Sequence, residues 1–317
     1  MIAGVDIGGT KTHLVALDGN GSQRERIVAT ADWRGREDAA IDASSLINLL
    51  TQIADGHPDV VVIGAHGCDT DEDRDKLQSL LAGHVNGTLL VLNDSELLLP
   101  AADKRAGVSV IAGTGSIAVS RNENRKMMAA GGWGWFLGDE GSASGLVRDA
   151  ARAVRFYLDK TERLDPLGEA LMEALGINGP VELGRALGER GSAASIGNLA
   201  PLVFEAARHG SELASNVIAR GGDALASLVE QLVARGARGV DVVAGGGVIC
   251  GQATLFHAFE AALARRVPEA LATLLTEPPV IGALRLAREL AAGQRRPALP
   301  LPHTAGRQES EDNGRAA

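Results

Sequence analysis

The sequence predicts an α/β protein built from two similar domains. Strand and helix patterns alternate over roughly the first hundred residues, as in βαβ units. A strand, a glycine turn and a second strand at residues 4–21 recur as the same pattern at residues 107–126. Helical patterns then dominate the rest of the chain. The duplicated hairpin indicates two related domains that face each other.

The first domain is predicted to span residues 1–106. It opens with the strands "AGVDIGG" and "THLVALDG", and a helix with one apolar side follows. The buried strand "DVVVIGAHG", a brief helix and the strand "GTLLVLND" come next, and Ser95 is a plausible cap for the helix after it. This order predicts a mostly parallel, buried sheet.

The second domain is predicted to span residues 107–291, with the alternative that its last helix packs on the first domain. Its hairpin leads into a glycine-rich segment and a long helix, and helices follow between about 195 and 235. The strand "GVDVVAGGGVI" then precedes two more helices. Residues 292–317 are rich in proline, glycine and charge, which predicts a disordered tail.

Composition limits the function classes. The chain has 317 residues and a formal net charge of -9, which argues against nucleic acid or an anionic membrane as the main partner. Cys68 and Cys250 are its two cysteines, best interpreted as free buried thiols in a reducing cytosol. No signal peptide pattern, membrane-length apolar run or transition-metal motif is visible, so we expect a cytoplasmic protein acting on small molecules.

The first glycine turn has the chemistry of a phosphate site. Gly8 and Gly9 allow a ligand to approach the backbone, and Thr10 adds a hydroxyl donor, with Lys11 beside it. Asp6, at the end of the strand, can hold a hydrated Mg²⁺ ion. The turn matches neither a Walker loop nor a Rossmann turn, because a strand follows it. An ordinary glycine hairpin is the alternative.

Two further glycine turns resemble the first. Gly113, Thr114 and Gly115 occupy the second hairpin, where the repetition strengthens the phosphate interpretation. Gly245, Gly246 and Gly247 follow a later strand. They could form a shelf for an adenine ring and ribose, or simply a loop between a strand and a helix.

Asp94 stands at the carboxyl end of a predicted buried strand, which is where ligands bind in open α/β sheets. A carboxylate there can accept the proton of a hydroxyl that attacks ATP. The alternative is a turn or helix-capping aspartate.

The segment "GGWGWFLGDEGSASG" at 131–145 concentrates aromatic residues in a chain that is only 3% aromatic. Aromatic faces, backbone amides and carboxylates are groups that commonly hold sugar hydroxyls. A glycine-rich loop with a capping acid is the alternative.

Taken together, DxGGTKT, ND, GTGS, GGWG…GDEGS and AGGGV resemble the BadF/BadG/BcrA/BcrD-type ATPase family, and within it the N-acetylglucosamine kinases. The resemblance covers about residues 1–290. It implies two RNase-H-like domains of the actin/hexokinase/Hsp70 type with a cleft between them, ATP and Mg²⁺ as cofactors, and a homodimer.

The resemblance also implies roles for individual residues. Two phosphate loops and an adenosine border would come from the three glycine turns, and Asp94 would be the catalytic, sugar-contacting residue. The sugar-binding residues would be Trp33, Gly132, Trp133, Gly134 and Asp139. The amino-sugar kinases usually place an Asn shortly before that first Trp. Here Asp32 is the nearby polar residue, which leaves the exact sugar open between N-acetylglucosamine and glucosamine.

The function expected on these grounds is ATP-dependent phosphorylation of the 6-hydroxyl of an amino sugar. Two alternatives remain. One is an ATPase activator of a dehydratase or reductase, which would need cysteine ligands for an iron–sulfur cluster. The other is a sugar- or nucleotide-binding regulator without turnover.

Overall fold

A computed structural model describes residues 1–35, 38–237 and 240–305, and the chain divides into two compact units. The first unit combines Met1–Leu97 with the chain from Pro279 onward, and the second is Leu98–Pro278. The predicted boundary at 106/107 is therefore too late. Leu98 and Ala101 pack with Val243 in the core of the second unit, which assigns this short helix to that side.

The first unit is a six-stranded sheet with three helices of more than ten residues. Its strand order is β11-β5-β4-β1-β2-β3. Strands β1, β4 and β5 are parallel, whereas β2, β3 and β11 join by antiparallel pairing. The elements are β1 Ile2–Ile7, β2 Lys11–Leu17, β3 Gln23–Ala29, α1 Ala39–Ala54, β4 Val60–Ala65, α2 Asp71–Ala82 and β5 Thr88–Asn93, joined by the later α13 Pro279–Ala291 and β11 His303–Thr304.

The second unit is a five-stranded sheet covered by more helix. Its strand order is β10-β9-β6-β7-β8, with β10, β9 and β6 parallel and the other two pairs antiparallel. The elements are α3 Leu98–Ala101, β6 Val108–Ala112, β7 Ser116–Arg121, β8 Met127–Gly131, α4 Gly134–Leu137, α5 Ala143–Thr161, α6 Pro166–Leu175, α7 Leu183–Glu189, α8 Ala193–Gly197, α9 Ala200–Arg208, α10 Glu212–Ala234, β9 Asp241–Gly245, α11 Gly247–Gly251, α12 Ala253–Arg266 and β10 Leu271–Leu274.

The same five-strand arrangement occurs in both units. The order β5-β4-β1-β2-β3 in the first unit matches β10-β9-β6-β7-β8 in the second, with the same alternation of parallel and antiparallel pairs. The prediction of a mostly parallel sheet is therefore wrong in its detail. Each sheet is mixed, because the glycine turn reverses the chain and adds an antiparallel meander to three parallel strands.

Close backbone contacts hold α13 on the first sheet and α12 against α10. Gly4 in β1 lies so near α13 that a Cβ there would be 2.7 Å from the Leu284 amide nitrogen. A Cβ on Gly222 in α10 would likewise lie 2.6 Å from the Phe259 amide nitrogen in α12, so these two helices are in close contact. The helix α13 thus belongs to the first unit, in agreement with the alternative placement of the last helix.

Residues 292–305, part of the predicted tail, are folded within the first unit. Arg296 is buried and donates from Nε and Nη2 to the Glu289 carboxylate, both at 2.8 Å. His303 and Thr304 then pair with β5. The rest of the predicted tail lies outside the described residues. None of the described helices is long and apolar enough to cross a membrane.

Candidate active site

The first glycine turn connects β1 to β2 at the edge where the parallel strands β1, β4 and β5 end. The Gly8 amide donates to the Lys11 carbonyl at 3.0 Å, and the Thr10 carbonyl accepts from the Thr30 amide at 2.9 Å. Gly9, Thr10 and Lys11 are exposed. The turn is therefore held by its own backbone and by β3's end, and its tip is available to a ligand.

Asp94 follows β5 at this same sheet edge, as the sequence predicts, and begins a short 3₁₀ helix, Asp94–Leu97. Its Oδ1 accepts from the Ser95 amide at 3.0 Å, and its side chain is 19% exposed. Asn93 supports it by donating to the Asp69 carboxylate at 3.0 Å and accepting from the Ser95 amide at 3.0 Å. Ser95, predicted as the cap, is instead the group that Asn93 caps.

Asp6 and Asp94 are electrostatically coupled. Burial, together with the smaller effect of the nearby Asp94 carboxylate, raises the pKa of Asp6 to about 7, and Lys11 opposes the rise. Burial likewise raises the pKa of Asp94 to about 6, and His66 opposes that rise. Two neighbouring, largely desolvated carboxylates repel each other, so a cation bound near them would be stabilised.

Trp33 has a structural role in the first unit. Its Nε1 donates to Thr12 Oγ1 at 3.0 Å, and Thr12 Oγ1 is also 3.0 Å from Thr30 Oγ1. The ring packs against the core beneath β2. Asp32 is exposed in the short 3₁₀ helix Thr30–Asp32. The indole N–H of Trp33 already donates to Thr12, so it is not available to a sugar hydroxyl. A contact between the sugar and the Trp33 ring stays a prediction.

In the second unit, the Gly113–Gly115 turn lies against the start of α5. The Ala143 amide donates to the Gly113 carbonyl at 2.8 Å, and Ser144 Oγ donates to the Thr114 carbonyl at 2.8 Å. The helix begins at the Ser142 cap, whose hydroxyl accepts from the Gly145 amide at 3.1 Å. The hairpin and the helix N-terminus therefore form one structure.

Asp139 also contacts this hairpin. Its Oδ1 accepts from the Ser116 amide at 3.2 Å, and its Oδ2 is 2.8 Å from the position of a Cβ on Gly115. The residue is only 6% exposed and has a left-handed backbone with φ 58°. Burial raises its pKa. A group predicted to bind sugar is thus shown to support the second glycine turn, and its sugar contact stays a prediction.

The Gly132–Gly134 segment adjoins the same hairpin. Gly132 and Gly134 have φ values of 75° and 79°, and the Gly132 amide donates to the Ser116 carbonyl at 2.9 Å. Trp133 between them is 75% exposed, and Phe136 and Leu137 are similarly exposed. The turn therefore presents an aromatic face to solvent.

The third glycine turn packs on the start of the second. Gly246 has φ 104°, and a Cβ there would lie 2.6 Å from the Ala112 carbonyl oxygen. The Gly247 amide nitrogen is 3.7 Å from the position of a Cβ on Gly113. Gly245 ends β9 beside β6. Within the second unit, the predicted phosphate, sugar and adenosine segments therefore come together around one hairpin.

A cavity of about 490 Å³ opens where α11 leads into α12. Its lining includes Phe204, Ile218, Gln252 and Thr254. Gln252 directly follows the short helix that begins at Gly247, but Gly245, Gly246 and Gly247 are not among the residues that line the cavity.

His66 is the residue of this region that sequence reasoning missed. It directly follows β4 and lies 3.8 Å, Nδ1 to Oδ2, from Asp94. A single histidine in a loop carries no spacing pattern. The available signal was its position after a buried strand that the βαβ order places beside the strand of Asp94.

Comparison with known proteins decides the family. The sequence profile of the BadF/BadG/BcrA/BcrD ATPase family matches residues 3–287. The chain belongs to the BadF/BadG/BcrA/BcrD ATPase family.

Two curated relatives of this family member are sugar kinases. It is 28% identical over 253 residues to the N-acetyl-D-glucosamine kinase of Dictyostelium discoideum, covering 73% of this chain and 78% of that protein. It is 28% identical over 169 residues to the N-acetylmuramic acid/N-acetylglucosamine kinase of Clostridium acetobutylicum, covering 47% of this chain. That match spans about half, 55%, of the Clostridium protein.

Solved structures share the fold. A protein from Chromobacterium violaceum assigned as an N-acetylglucosamine kinase is 25% identical, with a TM-score of 0.65 over 89% of this chain and 97% of its own. A ROK family glucokinase from Streptomyces griseus, solved with glucose and AMPPNP, has a TM-score of 0.57 at 19% identity, covering 91% of this chain and 99% of its own. The second likeness concerns the fold alone.

Proposed function

We propose that this protein is an ATP-dependent kinase that phosphorylates the 6-hydroxyl of an amino sugar. The observation that carries the proposal is the position of Asp94, at the end of a buried parallel strand and coupled to Asp6 beside an exposed glycine turn. Family membership and the kinase names of both relatives support it.

The finer fold assignment is part of this proposal. Both sheets have the order of three parallel strands followed by an antiparallel meander, which supports two RNase-H-like domains of the actin/hexokinase/Hsp70 type. A cytoplasmic homodimer is the expected form, and light scattering of the purified protein would measure its mass.

ATP would be held by backbone groups more than by side-chain cations. We assign Gly8, Gly9, Thr10 and Lys11 to one phosphate loop and Gly113–Gly115 to the other, with Gly245–Gly247 along the adenosine. Exposed turn amides suit phosphate oxygens. Phe204 and Ile218 contribute apolar surface to the cavity beside Gln252, which makes it a suitable place for the purine.

Asp6 fits a hydrated Mg²⁺ ion. Its carboxylate is desolvated, and the neighbouring Asp94 makes its ionised form costly unless a cation is present. Mg²⁺ usually keeps several waters and takes one or two carboxylates together with substrate phosphates. When bound, the ion would offset the charge on the transferred phosphoryl group.

Asp94 would accept the proton of the attacking sugar hydroxyl. A pKa of about 6 keeps the carboxylate ionised at neutral pH yet basic enough to take a proton as the oxygen attacks. Oδ1 accepts a hydrogen bond from the Ser95 amide, which restrains that oxygen. The remainder of catalysis is positioning of the two substrates.

We assign sugar binding to Gly132, Trp133, Gly134 and Asp139 in the second unit and to Trp33 in the first. N-acetylglucosamine is the first candidate and glucosamine the second. Asp32 favours the second, because a carboxylate near the 2-position suits an ammonium group better than an acetamide. Comparing kcat/KM for the two sugars decides this point, and clear preference for the acetylated sugar would exclude that role of Asp32.

Neither alternative function gains support from a specific contact. A cluster-bearing activator needs thiolate ligands, but Cys68 is buried and burial raises its pKa to about 12. Cys250 is exposed, contrary to the interpretation of both cysteines as buried thiols, and is a single candidate ligand. A coupled assay separates the remaining possibilities. A kinase releases ADP only when the sugar is present, an activator releases ADP without it, and a regulator releases none.

A further inference from the structure

His66 lies between the two functional elements of the first unit. It follows β4, the strand that pairs with β1 on one side and β5 on the other. Its amide donates to the Ile7 carbonyl at 2.7 Å, and its carbonyl accepts from Arg34 Nη1 at 2.9 Å. The backbone of His66 is thus fixed on both sides, so its side chain starts from a defined position.

The imidazole reaches from the glycine turn to Asp94. Its Cδ2 and Nε2 lie 3.6 Å from the position of a Cβ on Gly9, and its Nδ1 is 3.8 Å from Asp94 Oδ2. Since Asp94 Oδ1 already accepts from the Ser95 amide, Nδ1 faces the other oxygen. The side chain is half exposed, so no packing constraint explains this orientation.

We propose that His66 is a positioning residue for Asp94: its Nδ1–H donates to Asp94 Oδ2 and holds the carboxylate toward the sugar hydroxyl. The proposal rests on the kinase function proposed above. The separation of 3.8 Å exceeds a hydrogen bond by about 1 Å, and catalytic contacts commonly shorten when substrate binds. Together with Ser95, His66 would leave the carboxylate one orientation.

The surrounding charges agree with this role. Asp6 and Asp69 face Asp94 with negative charge, whereas His66 is the side chain that lowers its pKa against the larger effect of burial. Without a donor at this position, the Ser95 amide alone would restrain the carboxylate among repelling groups. The hydroxyl would then meet the base in a productive geometry less often.

Three variants separate a hydrogen-bond donor from a space-filling side chain. An Asn side chain places its amide nitrogen where His has Nδ1, whereas Gln places it nearer Nε2. We expect His66→Ala to lower kcat about tenfold with the KM values for sugar and ATP within about twofold. His66→Asn should recover most of kcat, and His66→Gln should recover little.

The control is His257→Asn on the exposed surface of α12, which should match the wild type. Equal kcat in the Asn and Gln variants would overturn the proposal, as would a kcat of His66→Ala within twofold of the wild type. A loss expressed only in KM would also overturn it.

A second measurement does not depend on turnover. Long-range ¹H–¹⁵N spectra of the histidine side chains report which nitrogen bears the proton. We expect the His66 Nδ1 resonance to shift in Asp94→Asn while that of His257 does not. If the wild type releases no ADP with any sugar but this shift is seen, the kinase function fails and the contact stands. An unchanged His66 resonance removes the contact.

Discussion

The Asp139 carboxylate accepts a hydrogen bond from the Ser116 amide at 3.2 Å, across 23 positions of sequence. This contact joins the segment that carries the exposed Trp133 to the second glycine hairpin. It also brings Asp139 Oδ2 against Gly115, where no side chain would fit. A carboxylate that could be assigned to sugar binding alone is therefore also a structural support of the turn.

Removing this carboxylate should destabilise the second unit. Asp139→Ala leaves the buried Ser116 amide without its acceptor, at a cost of about 1–3 kcal/mol. Denaturant unfolding measures this cost. The control is Asp159→Ala, which removes an exposed partner of Arg155 and should cost less than about 1 kcal/mol. Equal effects of the two substitutions would show that the Ser116 contact contributes no stability.

Two adjacent glycines should respond differently to alanine. Gly246→Ala forces a Cβ to 2.6 Å from the Ala112 carbonyl oxygen at a left-handed φ, so we expect a loss of more than about 2 kcal/mol. Nothing lies within 4 Å of a Cβ on Gly247, so Gly247→Ala should fold normally. Thermal unfolding compares the two. If Gly247 borders the adenosine, its variant also raises KM for ATP.

The tryptophans Trp33 and Trp133 should separate stability from sugar binding. Trp133 is 75% exposed, so Trp133→Ala should keep the melting temperature and raise KM for the sugar. Trp33→Phe removes the donor to Thr12 Oγ1 and should cost about 1 kcal/mol of stability. Melting curves and sugar titrations of both variants test this. An unchanged sugar KM in Trp133→Ala would remove that residue from the sugar site.

Activity should depend on pH through Asp94. Since its ionised form accepts the proton and its pKa is about 6, kcat/KM should fall as pH drops below 6. The assay uses saturating Mg²⁺, so that occupancy near Asp6 does not limit the rate. A profile that stays flat down to pH 5 would contradict the assignment.

The same raised pKa has a stability consequence of defined sign. Because folding raises the pKa of Asp94 from 3.8 to about 6, the protonated form is favoured in the folded state. This stabilisation is complete below pH 3.8 and is lost as pH rises through 6. Asp94→Asn should therefore be more stable than the wild type at pH 8, by up to about 3 kcal/mol, with little difference near pH 4.

The glycine hairpins were the part of the fold most open to prediction. Each combines short, mostly buried strands with a glycine turn, a local pattern that is visible in the sequence. The edge strand β3 was missed because six of its seven residues are exposed and three of those are charged, and charged side chains are how an edge strand resists aggregation. Strand β11 has two residues and owes its place to pairing with β5, so no periodic pattern marks it.

Within the candidate site, the sequence could locate a residue that belongs to a local motif. It could not locate a residue whose position depends on the order of the strands. Asp94 could be located because it ends an apolar run. The order of β1, β4 and β5 places His66 between Gly9 and Asp94, and no local sequence pattern shows this order. The support that Asp139 gives to Ser116 likewise depends on a contact between distant segments.

The account is tested most directly by ADP release from the wild type and from Asp94→Asn. The assay panel is glucosamine, N-acetylglucosamine, N-acetylmuramic acid and glucose, each with ATP and Mg²⁺. We expect sugar-dependent ADP release with an amino sugar, lowered roughly a hundredfold or more in kcat by the substitution. ADP release that is independent of every sugar, or an Asp94→Asn variant that keeps most of its activity, would contradict the central claim.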